Sequence, residues 1–193
     1  MKKIIKPTVF MLALVPFAAL VYRIVYGDLG PDPAKELSLE TGEWALRFLL
    51  ISLAMTPMSR IAKQIEFIRQ RRMIGLFSFF YATLHLIVWL TFLLQFRWAD
   101  VFVEIAERPY ITIGFAAYVI LFALAVTSPK AMVRRLGRNW KRLHQLVYVA
   151  GVLAVIHLLW ILRLDIGEAV IYGALLAVLL GYRVFDKLRL TRA

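Results

Sequence analysis

Six long apolar stretches constrain the fold of this chain more than any other feature of its sequence. Each has about the length that an α-helix needs to cross a bilayer, and short polar turns join them. The chain has 193 residues and is 62% hydrophobic, so little of it remains for a soluble domain. The sequence therefore predicts an all-α integral membrane protein, a single domain built as a six-helix transmembrane bundle. The predicted spans are residues 7–26, 42–58, 74–96, 110–127, 144–162 and 167–185.

Basic residues are distributed unevenly over the connections between these stretches. The N-terminus, the second-to-third and fourth-to-fifth connections and the C-terminal tail hold 18 of the 24 Lys and Arg residues, whereas the other three connections hold four. Ten of the 12 acidic residues lie on that second side. By the positive-inside rule we expect both termini to be cytoplasmic, which requires an even number of spans. The four outer cations are Lys35, Arg97, Arg108 and Arg163.

Composition excludes several other classes of protein. The net charge of +12 follows from topology and from contact with lipid headgroups, so we expect membrane lipid as a partner and no nucleic acid. The absence of cysteine excludes thiolate metal sites, iron–sulfur ligation and disulfides. No glycine-rich phosphate loop follows a strand pattern. The first stretch contains Pro16 and Arg23 and lacks a convincing cleavage site, so we expect a retained helix.

Two of the three histidines lie in the third and fifth stretches, which cross in the same direction. His85 follows Arg72 by 13 residues, and His157 follows Arg142 by 15 residues. At about 1.5 Å per residue these separations are roughly 20 and 22 Å, so the two rings would lie at nearly the same depth. A histidine in lipid is costly unless it is paired or liganded. The depth match predicts that the rings face each other, and the alternative is two packing histidines bonded to polar neighbours.

Two facing imidazoles in a membrane predict a haem that is bound through both axial positions of its iron. Such a centre passes electrons and leaves no open position for oxygen or a substrate. The carboxylates of a haem near the outer face require cations. Arg47 in the second stretch and Arg23 in the first are the buried candidates on that side, and arginines that merely extend to the interface are the alternative.

The third histidine, His144, lies at the cytoplasmic start of the fifth stretch. It precedes His157 by 13 residues, which is about 20 Å along one helix, and at about 100° per residue the two rings point about 140° apart. The matching depth of the third stretch holds residues 71–73 and no histidine. His144 could supply one ligand of a second centre, hold a flavin or quinone near the cytoplasmic interface, or only end a helix at the headgroups.

Two runs of sequence carry a resemblance to a known family. They are residues 71–85 (RRMIGLFSFFYATLH) and residues 136–148 (LGRNWKRLHQLVY), the second of which continues to His157. In these runs the chain resembles the haem-binding membrane subunit of the bacterial periplasmic methionine sulfoxide reductase system (MsrQ type). That family belongs to the ferric-reductase-like transmembrane superfamily, which it shares with NADPH oxidases. The resemblance covers essentially the whole chain and implies one domain over residues 1–193.

The resemblance implies cofactors, partners and a location in the bacterial inner membrane. The cofactors are b-type haem and an associated FMN. Electrons would come from the quinone pool or a cytoplasmic flavin reductase and pass to a periplasmic molybdopterin subunit, the catalytic one, which reduces methionine sulfoxide in oxidised proteins. His85 and His157 match the outer haem pair, and His144 matches the inner position. Where the oxidases use another histidine in the third span this chain has an arginine, and Arg71 is a cofactor-binding candidate there, so one or two haems remain open.

Acidic residues in the outer connections are candidates for a partner docking surface, and solvated loops are the alternative. They are Asp28, Asp32, Glu36, Glu40, Glu43, Asp100, Glu104 and Glu107. Two other functions stay open from the residues alone. One is a ferric or quinone reductase that acts without a partner. The other is a transporter or structural membrane protein whose histidines relay protons or pack.

Overall fold

The structure, a computed structural model, is built from helices. It describes residues 2–162 and 166–192, with side chains for residues 5–162 and 166–189, and contains no strand within those ranges. The all-α class predicted from the sequence is therefore confirmed, and Arg163 lies outside the described residues. The helices are α1 (Lys2–Tyr26), α2 (Pro33–Ile61), α3 (Glu66–Val88), α4 (Val101–Glu107), α5 (Pro109–Val126), α6 (Lys130–Leu136), α7 (Arg138–His144), α8 (Leu146–Ile161) and α9 (Gly167–Arg192).

Five segments of the described chain are long and apolar enough to cross a membrane. They are Ile5–Tyr26, Glu66–Leu93, Pro109–Val126, Arg138–Ile161 and Gly167–Arg189. The remaining long helix, α2, has 29 residues, but Glu43 and Arg47 make its apolar section less hydrophobic. The sixth span, and with it the cytoplasmic position of both termini, stays a prediction.

Large apolar side chains cover the outside of the helices. Val25 on α1, Ile171 on α9 and Val178 on α9 are each at least 60% exposed. A surface of this kind is costly in water and matches the hydrocarbon core of a bilayer. The interior is formed mainly where α2 packs along α3, around Phe48, Phe77 and other buried apolar residues.

The ends of the helices follow from local sequence. Asp32 caps α2, because its Oδ1 accepts the Lys35 N–H at 3.1 Å, and Pro33 occupies the first turn. Pro109 begins α5 in the same way. The helix type changes within the third predicted span. The α-helix α3 ends at Val88, and a π-helical turn, Trp89–Leu93, follows it directly. Such turns occur often at functional sites, and this one begins four residues after His85.

Tyr81 joins α3 to α1. Its side chain is fully buried, and its hydroxyl donates to the Ala13 carbonyl at 2.9 Å and accepts the Phe17 N–H at 3.0 Å. These two backbone groups are four residues apart and lie on either side of Pro16, whose missing N–H leaves one turn of α1 without its usual backbone bond. The hydroxyl thus bonds to backbone groups of α1 at this turn, in a medium that offers no water.

Replacement of Tyr81 by phenylalanine is expected to destabilise the protein. The change removes the hydroxyl that bonds to two backbone groups of α1, which costs about 1 kcal/mol. We expect the melting temperature of the detergent-solubilised protein to fall by about 2–4 °C. Tyr22→Phe is the control, because Tyr22 lies on α1 and is 60% exposed. Equal melting temperatures for Tyr81→Phe and the wild type would contradict this role of the hydroxyl.

Candidate functional site

His85 lies in the last turn of α3, beside the first turns of α2. Its Nδ1 is 2.8 Å from the Ser38 carbonyl oxygen, and the Thr41 hydroxyl is 3.5 Å from the same nitrogen. A carbonyl only accepts, so Nδ1 carries the proton and Nε2 keeps its lone pair. The ring lies directly against Gly42, where a Cβ would be 3.1 Å from Nδ1.

His157 on α8 is held by α5 in the same way. Its Nδ1 is 2.7 Å from the Tyr110 carbonyl oxygen, and this contact again leaves Nε2 free to bind a metal. Gly114 lies against the ring, and a Cβ at that position would be 2.7 Å from Cε1 and 2.8 Å from Nδ1. The close approach of α5 to this ring therefore requires glycine.

The two histidine environments repeat along the chain. In each, 47 residues separate the histidine from the carbonyl that holds it, and the glycine follows that carbonyl by four residues. A single offset of 72 residues relates the two sets. The same offset pairs further identical residues, namely Ala45 with Ala117, Leu49 with Leu121, Pro57 with Pro129 and Ala82 with Ala154. The α2–α3 pair and the α5–α8 pair are thus two copies of one histidine-holding unit.

The two imidazoles face each other between these units. Their ring centres are 6.1 Å apart, and the ring planes are inclined by 81°. The structure thus brings together the two histidines whose depths match in the sequence. No cluster of three or more His, Cys, Asp or Glu residues that could hold a metal occurs in the described part of the chain. A metal bound here would have two protein ligands, and its other positions would need a ligand outside the chain.

A cavity of about 440 Å³ surrounds the histidine pair. Its walls come mainly from α2, α3, α5 and α8 and are largely apolar, with Leu49, Leu121 and Leu158 among the buried residues. The charged lining residues are Lys35, Glu43, Arg97, Glu104 and Arg108. Cofactor sites are typically cavities of about 300–1,000 Å³ with apolar walls and a few polar groups.

His144, the last residue of α7, and Arg71, near the start of α3, lie outside this cavity. The His144 Nε2 is 3.2 Å from the Thr127 hydroxyl, and the ring stacks on Trp140 with centres 4.0 Å apart. Arg71 lies near both Tyr148 and His144. The structure thus brings these two sequence-predicted residues to each other and not to the histidine pair.

The two buried arginines predicted to face a cofactor do not line the cavity. Arg47 donates to Glu43 at 2.5 Å and to the Tyr172 hydroxyl at 2.7 Å, and its guanidinium lies 4.8 Å from the centre of the Trp44 ring. Arg23 pairs with Glu36 and Glu40, which are two of the outer acidic residues. Both guanidinium groups are therefore already occupied by groups of the chain itself.

Most of the predicted acidic docking surface is also paired within the chain. Glu36, Glu40 and Glu43 pair with arginines as described, Asp100 pairs with Arg97, and Glu104 pairs with Arg108. Docking of a partner at this surface stays a prediction. The surface offers fewer unpaired carboxylates than the sequence suggests.

These features define a class: a multi-pass membrane protein with two opposed imidazoles, each fixed in one tautomer, in a cavity between four helices. The family model described as "Ferric reductase like transmembrane component" matches residues 41–155, which include Gly42, His85 and Gly114.

Curated relatives match over nearly the whole chain. Three carry the name "Protein-methionine-sulfoxide reductase heme-binding subunit MsrQ". The protein of Xanthomonas oryzae pv. oryzae is 48% identical over 97% of this chain and 88% of its own length. That of Xanthomonas euvesicatoria pv. vesicatoria is 49% identical over the same shares, and that of Ralstonia nicotianae is 46% identical over 94% of this chain and 85% of its own. The chain therefore belongs to the ferric-reductase-like transmembrane family and, within it, to the MsrQ family, which confirms the resemblance found in the sequence.

Sequence reasoning missed the groups that hold the histidines. They are the carbonyls of Ser38 and Tyr110 and the glycines Gly42 and Gly114. The 72-residue repeat would have indicated the glycines, because it aligns them when the two histidines are aligned. The carbonyls carry no signal of their own, since every residue has one.

Proposed function

We propose that this protein is a haem-binding electron-transfer subunit, in the bacterial inner membrane, of a protein-methionine-sulfoxide reductase system. The observation that carries the proposal is the facing pair of His85 and His157, each with a free Nε2. The names of the relatives support the cofactor and the system. A multi-pass membrane location fits a subunit that passes electrons across the bilayer.

The residues present fit a haem in three respects. Metal–imidazole bonds are about 2 Å long, so two imidazoles on opposite sides of one iron have ring centres about 6 Å apart, close to the observed 6.1 Å. The cavity has the size and apolar walls of a cofactor site. Gly42 and Gly114 keep the helices against the rings without a side chain between them.

The role of the chain is to orient the ligands and to exclude other chemistry. A haem held by His85 and His157 would supply one-electron transfer. The carbonyls of Ser38 and Tyr110 hold the two rings by Nδ1 and raise the basicity of Nε2, as carbonyls that accept from a ligand histidine do at metal sites. The apolar walls limit access of water to the site. His85 and His157 would hold a haem from both sides, and the iron would then have no position open to oxygen.

We further propose the direction and the partners of this transfer. The donor, the quinone pool or a cytoplasmic flavin reductase, would meet the cytoplasmic end, where Arg71, His144 and Tyr148 lie near Arg183. No carboxylate pairs with Arg71 or Arg183 among the residues described, so this cationic end suits FMN or another anionic cofactor.

The acceptor would be a periplasmic molybdopterin subunit at the opposite end. The number of b-type haems is one at the histidine pair, with a second only if His144 ligates it.

The function is tested by electron transfer in a reconstituted system. The purified protein in lipid nanodiscs is reduced chemically, and its haem spectrum is followed after addition of the periplasmic reductase subunit and methionine sulfoxide. We expect oxidation of the haem that requires both additions. A haem that remains reduced with both present, but is oxidised by ferric citrate alone, would favour the stand-alone ferric reductase.

The ring geometry predicts the electron paramagnetic resonance spectrum of the oxidised protein. Imidazole planes inclined by 81° would leave two d orbitals of a bound iron nearly equal in energy. Parallel planes would separate the energies of these orbitals. We expect a highly anisotropic low-spin ferric signal rather than a rhombic one. The same sample with added cyanide serves as the reference for a displaced histidine. A rhombic signal from the untreated protein would mean that the rings are close to parallel when the iron is bound.

A further inference from the structure

We propose that Lys35, Arg97 and Arg108 bind the carboxylates of the haem. The inference deepens the proposed function and rests on it. Among the residues that the structure describes, these are the three cations that line the cavity. Arg47 and Arg23, which the sequence favours for this role, do not line it.

Two of the cations lie directly outward from the groups that hold the histidines. Lys35 precedes Ser38 by three residues, which is about 4.5 Å along the axis of α2. Arg108 precedes Tyr110 by two residues, at the start of α5. A haem between the two rings, with its carboxylate edge toward this end of the cavity, would therefore present the carboxylates to both cations.

Arg97 reaches the same end of the cavity from α3. After the π-helical turn the backbone reverses through Gln95 and Phe96, which have φ values of 51° and 59°. Leu94 before this reversal and Arg97 after it both line the cavity, and the Arg97 Nε is 3.3 Å from the Leu94 carbonyl. The π-helical turn and the reversal together bring a third cation to the cavity wall.

The three cations are available to a ligand. Lys35 has no carboxylate partner in the part of the chain that the structure describes. Arg97 pairs with Asp100 at 3.4 Å and Arg108 with Glu104 at 2.9 Å, and the two arginine side chains are 61% and 52% exposed. Exposed ion pairs contribute little to stability, so the carboxylates of a partly buried ligand can replace the acidic partners.

The acidic lining residues leave a net positive charge at this end. They are Glu43 and Glu104, and each is paired with an arginine. Glu43 is neutralised by Arg47, a residue outside the lining. The cavity therefore combines an apolar interior around two imidazoles with a cationic rim, which matches a macrocycle that carries its charges on one edge.

The first test compares a triple variant with a rival variant. The triple variant, K35Q/R97Q/R108Q, removes the cavity cations. The rival variant, R23Q/E43Q/R47Q, removes the arginines outside the cavity together with Glu43, so that the loss of Arg47 leaves no unpaired carboxylate in the lining. Haem loss from each purified holoprotein to excess apomyoglobin is measured, together with the reduction potential. We expect the triple variant to lose haem at least about tenfold faster, since charged hydrogen bonds are lost. Its potential should fall because cations favour the added electron, while the low-spin spectrum persists.

The rival variant is expected to lose haem at the rate of the wild type. The inference is overturned if the triple variant keeps the rate and potential of the wild type, or if the rival variant alone changes them. In either case a low-spin wild-type spectrum would leave the histidine site intact, so only the assignment of the cations would fall.

A second test removes the charge from the ligand. Apoprotein is reconstituted with haem and with haem dimethyl ester, whose carboxylates are neutral. The wild type should bind haem at least about tenfold more tightly than the ester, and the triple variant should bind the two alike. Equal binding of both ligands by the wild type would overturn the inference. A wild type that binds neither would overturn the proposed function and this inference with it.

Discussion

Substitution of His157 by glycine is expected to abolish the low-spin haem of the purified protein. The substitution removes one of the two imidazoles that face each other at 6.1 Å. No other histidine can replace it, because His144 is engaged with Thr127 and Trp140 outside the cavity. Any haem that remains would have one protein ligand and a high-spin spectrum. The same result is expected for His85→Gly.

The measurement is the absorption spectrum of each variant in its oxidised and dithionite-reduced states, with and without imidazole in the buffer. Imidazole can fill the space left by the side chain, so we expect it to restore the low-spin bands of His157→Gly. His144→Ala is the control and should keep the bands of the histidine pair. If it lowers the ratio of haem to protein, His144 ligates a second haem. Low-spin bands that persist in His157→Gly without imidazole would contradict the ligand assignment.

Substitution of Gly114 by alanine is expected to have the second largest effect. The new Cβ would be 2.7 Å from Cε1 and 2.8 Å from Nδ1 of His157, distances that real Cβ atoms essentially never show. Either the ring or α5 must move, and the ring is held by the Tyr110 carbonyl at 2.7 Å. Loss of such outer-shell positioning typically weakens metal binding by about 10–100-fold. We therefore expect haem loss to accelerate by at least about tenfold.

Two other glycines provide a graded control for Gly114→Ala. At Gly42 a Cβ would be 3.1 Å from the nearest atom of His85, so Gly42→Ala should have a smaller effect. At Gly181 on α9 no atom lies within 4 Å of the added Cβ, and Gly181→Ala should hold haem as the wild type does. Haem loss is measured by transfer to apomyoglobin in all three variants. Equal rates for Gly114→Ala and Gly181→Ala would rule out a positioning role for the glycine.

The long helices were predictable because their apolar runs have the length of a bilayer. Residues that punctuate helices, such as Pro33 and Pro109, set several of the boundaries. The π-helical turn over Trp89–Leu93 was not predictable, because it interrupts an apolar run without a proline or glycine. The fully buried hydroxyl of Tyr81 was not predictable either, since its two partners lie on a helix more than 60 residues away.

The histidine pair was predictable and the cations around it were not. Depth along a helix follows from counting residues, and that count placed His85 and His157 at one level. The direction in which a side chain points around a helix depends on the neighbouring helices. Arg47 has a suitable depth, but it faces Tyr172 on α9, which is 125 residues away in sequence. Lys35 and Arg108 lie near the starts of their helices. From the sequence alone, both residues would be assigned to solvated loops.

The central claim, a b-type haem between His85 and His157, is tested most directly by the spectrum of the purified wild-type protein. A reduced-minus-oxidised absorption spectrum is combined with a pyridine haemochrome assay on the same sample. We expect low-spin bands of b-type haem, with at least one haem for each chain. A colourless protein that cannot be reconstituted with haem would contradict it and would favour a transporter or a structural membrane protein.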